Sequence, residues 1–359
     1  MRVPKRQSKI QNPNKIYALA ISLLGSGRFL AGAAREKSSN CVSPTKIQNR
    51  AMDMGEPSKG RGLFVGLTTL DLIYQVEAVP ASNQKVVAQD VAIAAGGPAT
   101  NAAVTFAHLG GDALLLSSLG QHPMARLIRA DLAAWGVQHR DLDPERQASP
   151  AVSSILVTAA TGDRAVVSRN AVGAQVAGDR LPADLMQALK ERRFDVVLID
   201  GHQMAVSEAI AHQSRALGIP VVVDGGSWKP GFEAVLRHTD YAICSANFLP
   251  PGCDSADVLP YLRSLGVSQV ARTHGSQPVE YLKGEHAGQV AVPTISPVDT
   301  LGAGDIFHGA FCHFILQLGF EAAIAQAAQV AARACQSFGP RRWMEAPPHQ
   351  ENPRFPKPD

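Results

Sequence analysis

Seven residues toward the C-terminal end, Asp299-Thr300-Leu301-Gly302-Ala303-Gly304-Asp305, have the types and spacing to act on an anion. The small residues Gly302, Ala303 and Gly304 let the backbone approach a ligand closely. Their N–H groups would open a helix and face a negative charge with the helix dipole behind them. Asp305 follows at once, placed to take a hydroxyl proton while a phosphoryl group is held in line. The helix is expected from Ile306 to Gln317, because Phe307, Ala310, Phe311, Phe314, Ile315 and Leu318 follow helical spacing, with Gly319 as its C-terminal stop. The same residues would also serve as a Gly-rich turn into a buried helix, with Asp305 only a cap.

A second small-residue segment, Ala94 to Ala103, also joins an expected strand to an expected helix. The strand is read from Val86 to Ala92 and the helix from Asn101 to Leu109, closed by Gly110-Gly111. Gly96 and Gly97 allow a ligand to lie against the backbone. Asn101, in the first helical turn, offers both donors and an acceptor to a polyol. An ordinary tight turn is the other reading of this segment.

Together the two segments resemble the signatures of the ribokinase-like, PfkB-type carbohydrate kinases. Gly96 to Gly120 resembles the first signature. Asp299 to Ala310 resembles the second, of form DTxGAGDxFxGA, with His308 at a variable position. The resemblance runs from about Gly62 to about Trp343. Within the family, Gly66 to Pro80 and Val298 to Asp305 are most similar to ketohexokinases and to sulfofructose kinase.

The resemblance implies a sugar site, a nucleotide site and a mechanism. Asp305 matches the catalytic base, with Gly302, Ala303 and Gly304 as its anion hole. Asp71, placed at the end of the first strand, matches an acidic residue that accepts bonds from sugar hydroxyls; turn capping beside Thr68 and Thr69 is its alternative. Gly96, Gly97 and Asn101 match sugar contacts. Lys85, Arg164 and Arg169 fall on expected lid segments and would hold an anionic substituent if the substrate carries one. Ser168 and His202 stand where sulfofructose kinase has polar residues for its sulfonate, so that substrate is not assigned. Thr273, Gly275, Asn247 and Thr300 match the nucleotide side. Pro278 and Pro250 replace a glycine and a glutamate of the family's TxGxxG and NxxE patterns. ATP and Mg2+ are the implied cofactors. Asp299 matches a residue that helps bind a monovalent cation in relatives that use one, and its role here stays open.

Stepwise strand and helix patterns surround these motifs. Strands are expected at Gly62–Leu67, Ala113–Leu119, Val196–Asp200, Pro220–Asp224, Tyr241–Ser245, Gln269–Thr273 and Val279–Leu282. Helices are expected at Met124–Trp135 and from about Ser207 to Leu217. This alternation predicts an α/β fold: a mostly parallel sheet with helices on both faces and ligands beyond the strands' carboxyl ends. Two strand-rich patches, 73–94 and 151–169, break the alternation. The resemblance implies that they form a small β-lid over the sugar and, in many relatives, a homodimer contact.

Composition agrees with a globular core. Of 359 residues, 45% are hydrophobic and 18% charged, with a formal charge of +3. Residues 1–60 hold eleven Lys and Arg against three acids, or +8, so the rest of the chain carries +3 less +8, or −5. That core is not expected to bind nucleic acid. Five cysteines without CxxC spacing suit a reduced, cytoplasmic chain and no zinc site. The basic start and the apolar run Ile16–Leu24 resemble a targeting segment, but the run is too short to cross a membrane. A disordered extension, a transit segment and a start at Met52 or Met54 remain open for residues 1–58. The kinase domain is expected over 59–343, followed by a disordered tail at 344–359.

Two rival functions fit parts of the same sequence. A nucleoside kinase of the same fold needs an aromatic base-stacking pocket, and aromatics are 6% here, with only Tyr74 near Asp71. A non-catalytic sugar-binding regulatory protein has no need of Asp305 in its GAGD setting. His108, His202 and His308 are read as packing or surface residues rather than metal ligands.

Overall fold

The computed structural model describes residues 59–169, 171 and 173–345. The expectations for residues 1–58, and for the tail from 346 onward, lie outside them. In chain order the strands are β1 (Arg61–Val65), β2 (Thr69–Val76), β3 (Asp90–Gly96), β4 (Asp112–Ser117), β5 (Gln138–Asp141), β6 (Ala151–Thr158), β7 (Arg164–Arg169), β8 (Val196–Ile199), β9 (Val221–Gly225), β10 (Tyr241–Ser245), β11 (Gln269–His274), β12 (Gln277–Lys283) and β13 (His286–Val290). The helices are α1 (Pro98–His108), α2 (Pro123–Ala134), α3 (Ala183–Lys190), α4 (Met204–Ala216), α5 (Phe232–Leu236), α6 (Val258–Ser264), α7 (Ala303–Phe314) and α8 (Phe320–Ala334).

A nine-stranded sheet in the order β13-β12-β11-β10-β9-β8-β1-β4-β5 forms the body. The pairs from β11 across to β5 are parallel, whereas β12 and β13 add antiparallel at one edge. Val196 to Ile199 and Val221 to Val223 are apolar without alternation and fully buried, as strands covered on both faces must be. One apolar layer gathers Phe64, Leu115 and Leu198 with α1, α2, α7 and α8. The other gathers Val197, Ile199 and Val223 with α3 to α6. The two strand-rich patches form a separate four-stranded sheet, β3-β2-β6-β7.

Helices α1 and α7 touch closely because their contact residues are small. A Cβ on Gly309 would lie 2.3 Å from the carbonyl oxygen of Ala102, so no larger residue fits without parting them. This contact brings together the two small-residue segments, which lie about two hundred positions apart in the chain.

Four expectations are corrected. The strand read from Val86 to Ala92 begins at Asp90; the chain before it is loop, with Val87 81% exposed, so apolar character there did not mean burial. Gly319 does not stop α7, which ends at Phe314. It adopts an extended conformation as the N-cap of α8, an Ala-rich helix absent from the sequence reading. Asp71 is not at the end of the first strand, because the chain turns at Gly66 and starts β2, which carries Asp71 in the other sheet. The ordered core also passes residue 343: Arg342–Met344 forms a 3-10 turn with Trp343 buried against His108.

Candidate active site

The turn before α7 is held from both sides. Asp299 is buried, and its two carboxylate oxygens accept the amides of Leu301 and Gly339, each at 2.9 Å. Gly302 takes φ +72, the left-handed conformation that admits glycine without strain, and caps the helix. Asp305 then falls in the first turn, beside the helix's positive end. The Ala303 amide is 3.3 Å from the Thr300 carbonyl, so that donor is turned inward.

The head of α1 is built in the same manner. Gly97, at φ +99, is its N-cap, and a Cβ there would meet the Leu67 carbonyl oxygen at 2.5 Å. Gly96 packs its backbone against Asp71: an added Cβ would sit 1.8 Å from Asp71 Oδ2. Pro98 at the first helical position needs no N–H partner. Buried Asp200, just beyond β8, accepts the amides of Leu67, Ala99 and His202 and so ties this turn to the main sheet.

The two heads meet at one bond. Asn101 Nδ2 donates to Asp305 Oδ2 at 2.8 Å. Asp71 lies within electrostatic reach and takes a 2.6 Å bond from the Thr69 hydroxyl. Arg164, at the start of β7, donates to the Thr300 hydroxyl at 2.8 Å. His308, one turn beyond Asp305, is buried, with Nδ1 at 2.7 Å from the Gly304 carbonyl oxygen and 3.3 Å from Asp224 Oδ2.

Charge follows from this packing. Desolvation pushes the Asp305 carboxyl above the usual carboxylate range, while Asn101 and His308 oppose the rise. Desolvation likewise raises Asp71, and pushes Asp224 up to about 6 against the pull of His308. For Asp200, burial is outweighed by His202 and the bonded amides, and the net direction is down. Carboxylates of opposite tendency thus share one neighbourhood, as acid–base sites require.

At the α7 head opens a cleft of about 540 Å³. Thr273, Gly275, Thr300, Ala303 and Gly304 line it, over an apolar wall that includes Phe307 and Ile295. So the structure brings Asp71, Gly96, Gly97, Asn101, Asp305 and Arg164 together, and sets Thr273, Gly275, Thr300, Ala303 and Gly304 along the cleft. It leaves three residues apart. Lys85 is exposed in the loop between β2 and β3 rather than on a strand, Arg169 is exposed at the end of β7, and Asn247 is exposed after β10, outside the cleft lining.

Four further polar side chains border this cluster. Asp200 and Asp224 follow the buried runs Val196–Ile199 and Val221–Val223, and a carboxylate at the carboxyl end of an apolar strand was a usable signal. His308, expected as a packing or surface residue, is buried with its ring nitrogens at the Gly304 and Ile243 carbonyl oxygens. Arg341, whose Nη1 lies 3.0 Å from Asn101 Oδ1, carries no local sequence signal. Among the described residues no three His, Cys, Asp or Glu side chains gather into a metal cage.

A family model described as pfkB family carbohydrate kinase matches residues 61–347. The chain belongs to the pfkB family. It is a carbohydrate kinase, in keeping with its curated relatives. The ribokinase of Bacillus subtilis (strain 168) is 26% identical over 289 residues, covering 78% of this pfkB chain and 94% of the relative. The deoxyribokinase of Salmonella typhi is 25% identical over 288 residues, covering 75% and 90%. The fold is ribokinase-like: the structure of Arabidopsis thaliana ribokinase complexed with ribose and ATP superposes with a TM-score of 0.63 at 21% identity, covering 78% of this chain and 94% of that one. No helix among the described residues of this pfkB kinase is long and apolar enough to cross a membrane.

Proposed function

We propose that this carbohydrate kinase transfers the γ-phosphoryl group of Mg-ATP to a sugar hydroxyl, a terminal CH2OH of a ketose-like substrate. The observation that carries the reading is Asp305: it stands at the head of α7, held by Asn101, with Asp71 within electrostatic reach and its neighbours Ala303 and Gly304 lining the 540 Å³ cleft. A base between a polyol site and a nucleotide-sized groove is what in-line transfer needs.

Asp71, Gly96, Gly97 and Asn101 hold the sugar. Thr273, Gly275 and Thr300 line the groove for the nucleotide, with Asn247 as an outlying contact. Asp305 takes the hydroxyl proton as the oxygen bonds to the γ-phosphorus. The bond from that phosphorus to the bridging oxygen breaks, and ADP leaves. The amides at Gly302 and Gly304 favour charge on the transferred group, with the Ala303 amide turning to join them. Magnesium would arrive on the phosphates of ATP, and no step is assigned to it. A monovalent cation at the Asp299 turn would show as potassium activation, and a flat potassium titration would remove it. The four-stranded sheet acts as a lid that keeps water from the phosphoryl group, and as the contact of a homodimer.

ATP consumption by a chain starting at Met54, against neutral and anionic sugars and nucleosides, tests the reading. Turnover on one sugar is expected, with kcat lowered by at least about a hundredfold in Asp305→Ala. An anionic winner would bring in Lys85, Arg164 or Arg169. Wild-type kcat in the folded Asp305→Ala protein would sink the assignment, and turnover on nucleosides alone would replace the sugar.

A further inference from the structure

The side-chain amide of Asn101 is gripped at both ends. Its Nδ2 donates to Asp305 Oδ2 at 2.8 Å, and its Oδ1 accepts from Arg341 Nη1 at 3.0 Å. A carboxylate only accepts and a guanidinium only donates, so these two partners allow one orientation of the amide. Turned over, Asn101 would set its oxygen against the carboxylate and its NH2 against the guanidinium. Arg341 has no such freedom. It is 8% exposed, and its Nη2 donates to the Ala95 carbonyl and to Asp131 Oδ2.

We propose that Arg341 is a positioning residue for the base: by locking the Asn101 amide with its NH2 toward Asp305, it keeps a donor on the carboxylate and fixes the direction in which that carboxylate meets the sugar hydroxyl. The inference rests on the reading of Asp305 as base. A donor on the ionised form favours that form, so the lock keeps Asp305 ready to accept a proton. The other charges facing Asp305 are Asp71 from β2, Arg164 from β7, Asp200 beyond β8, Asp224 from β9 and His308 from α7 itself. Arg341 also reaches Asp305 directly through its charge, and the experiment must separate the two routes.

The measurement is the pH dependence of kcat/KM on the best sugar. With Arg341→Met, Asn101 can turn over, and the acid limb should move up by about one pH unit, so that kcat/KM on the acid side of the limb is about tenfold lower. In an Asn101→Ala background the same substitution should leave the acid limb where Asn101→Ala put it, because the relay is already cut. Asp131→Asn, which weakens the ion pair behind Arg341 and spares its bond to Asn101, should not move the limb. If Arg341→Met fails to fold for want of a partner for the partly buried Asp131, the pair Arg341→Met with Asp131→Asn removes the stranded charge and carries the same readout. An unmoved acid limb in a folded Arg341→Met protein, an equal shift in the Asn101→Ala background, or a shift in Asp131→Asn alone would each overturn the proposal. Asp305→Ala run alongside keeps the two readings apart: undiminished turnover there fails the base itself, whereas lost turnover there with an unmoved limb in Arg341→Met fails only the relay.

Discussion

Asp305, the proposed base, comes at a cost to the fold. Desolvation lifts its carboxyl above the ordinary range, so the folded state prefers the protonated form more than the unfolded chain does. A base must be ionised, so kcat/KM should fall with decreasing pH through a limb lying above the usual carboxylate value. The sign for stability runs the other way. Above the folded-state value the buried negative charge lowers stability, and as pH falls through that value the penalty disappears. Asp305→Asn should therefore melt higher than wild type near pH 8 and converge with it toward the ordinary carboxylate range, while losing turnover. Thermal melts across pH check this. A variant that melts lower than wild type at pH 8 would show that the carboxylate stabilises the fold, contrary to its raised protonation.

At the scale of elements, the site is a meeting of two helix heads, and Gly309 sets their distance. Its absent Cβ would press on the Ala102 carbonyl, which is backbone and cannot rotate away. Gly309→Val should cost about 1–3 kcal/mol from overpacking. It should also lower kcat more than it raises KM, because Asn101 and Asp305 ride on the two helices that it forces apart. Differential scanning calorimetry with steady-state kinetics tests both, and an unchanged kcat in a destabilised protein would uncouple the contact from the chemistry. This geometry marks what could be read from the chain. The Asp299–Asp305 turn and the Gly96–Asn101 turn were legible because each is local: small residues, a polar head and helical spacing lie within a dozen positions. Their junction was not, since a bond between positions 101 and 305 depends on how α1 crosses α7. The α8 helix was legible in principle, since Phe320, Ala323, Ile324, Ala327 and Ala328 are buried at helical spacing, but Gly319 before it reads as readily as the end of one helix as the start of the next. Arg341 was missed because its partners, Asn101, Ala95 and Asp131, are all distant in sequence.

At the scale of the whole molecule, the four-stranded sheet has one face spent and one face open. Ile73, Ile155 and Val157 on its inner side are buried with Phe338. On the outer side the ladder sets Ile93 beside Leu72, then Ser154, then Val167, in one row across all four strands. The next row runs Val91, Tyr74, Leu156 and Ala165. Ile93 is 57% exposed and Val167 77%, so this apolar face is wet in a single chain. A largely apolar surface of this kind, interrupted by the exposed Ser154, favours burial against a partner. A second copy brings the same two rows, and a two-fold axis through the sheet matches apolar side chains with apolar side chains. Each large aliphatic group so covered contributes about 1.5–3 kcal/mol before the cost of association. The pfkB kinase should therefore sediment as a two-chain species at micromolar concentration. Ile93→Asp with Val167→Asp should leave single chains, because charges facing their own copies across the axis repel and lose solvation. Neither residue touches the Asp71–Asn101–Asp305 cluster, so turnover on the sugar should persist in the single chains to the extent that the sheet closes without a partner. A wild-type protein that sediments as one chain across that range would leave the open face to some other role and remove the dimer.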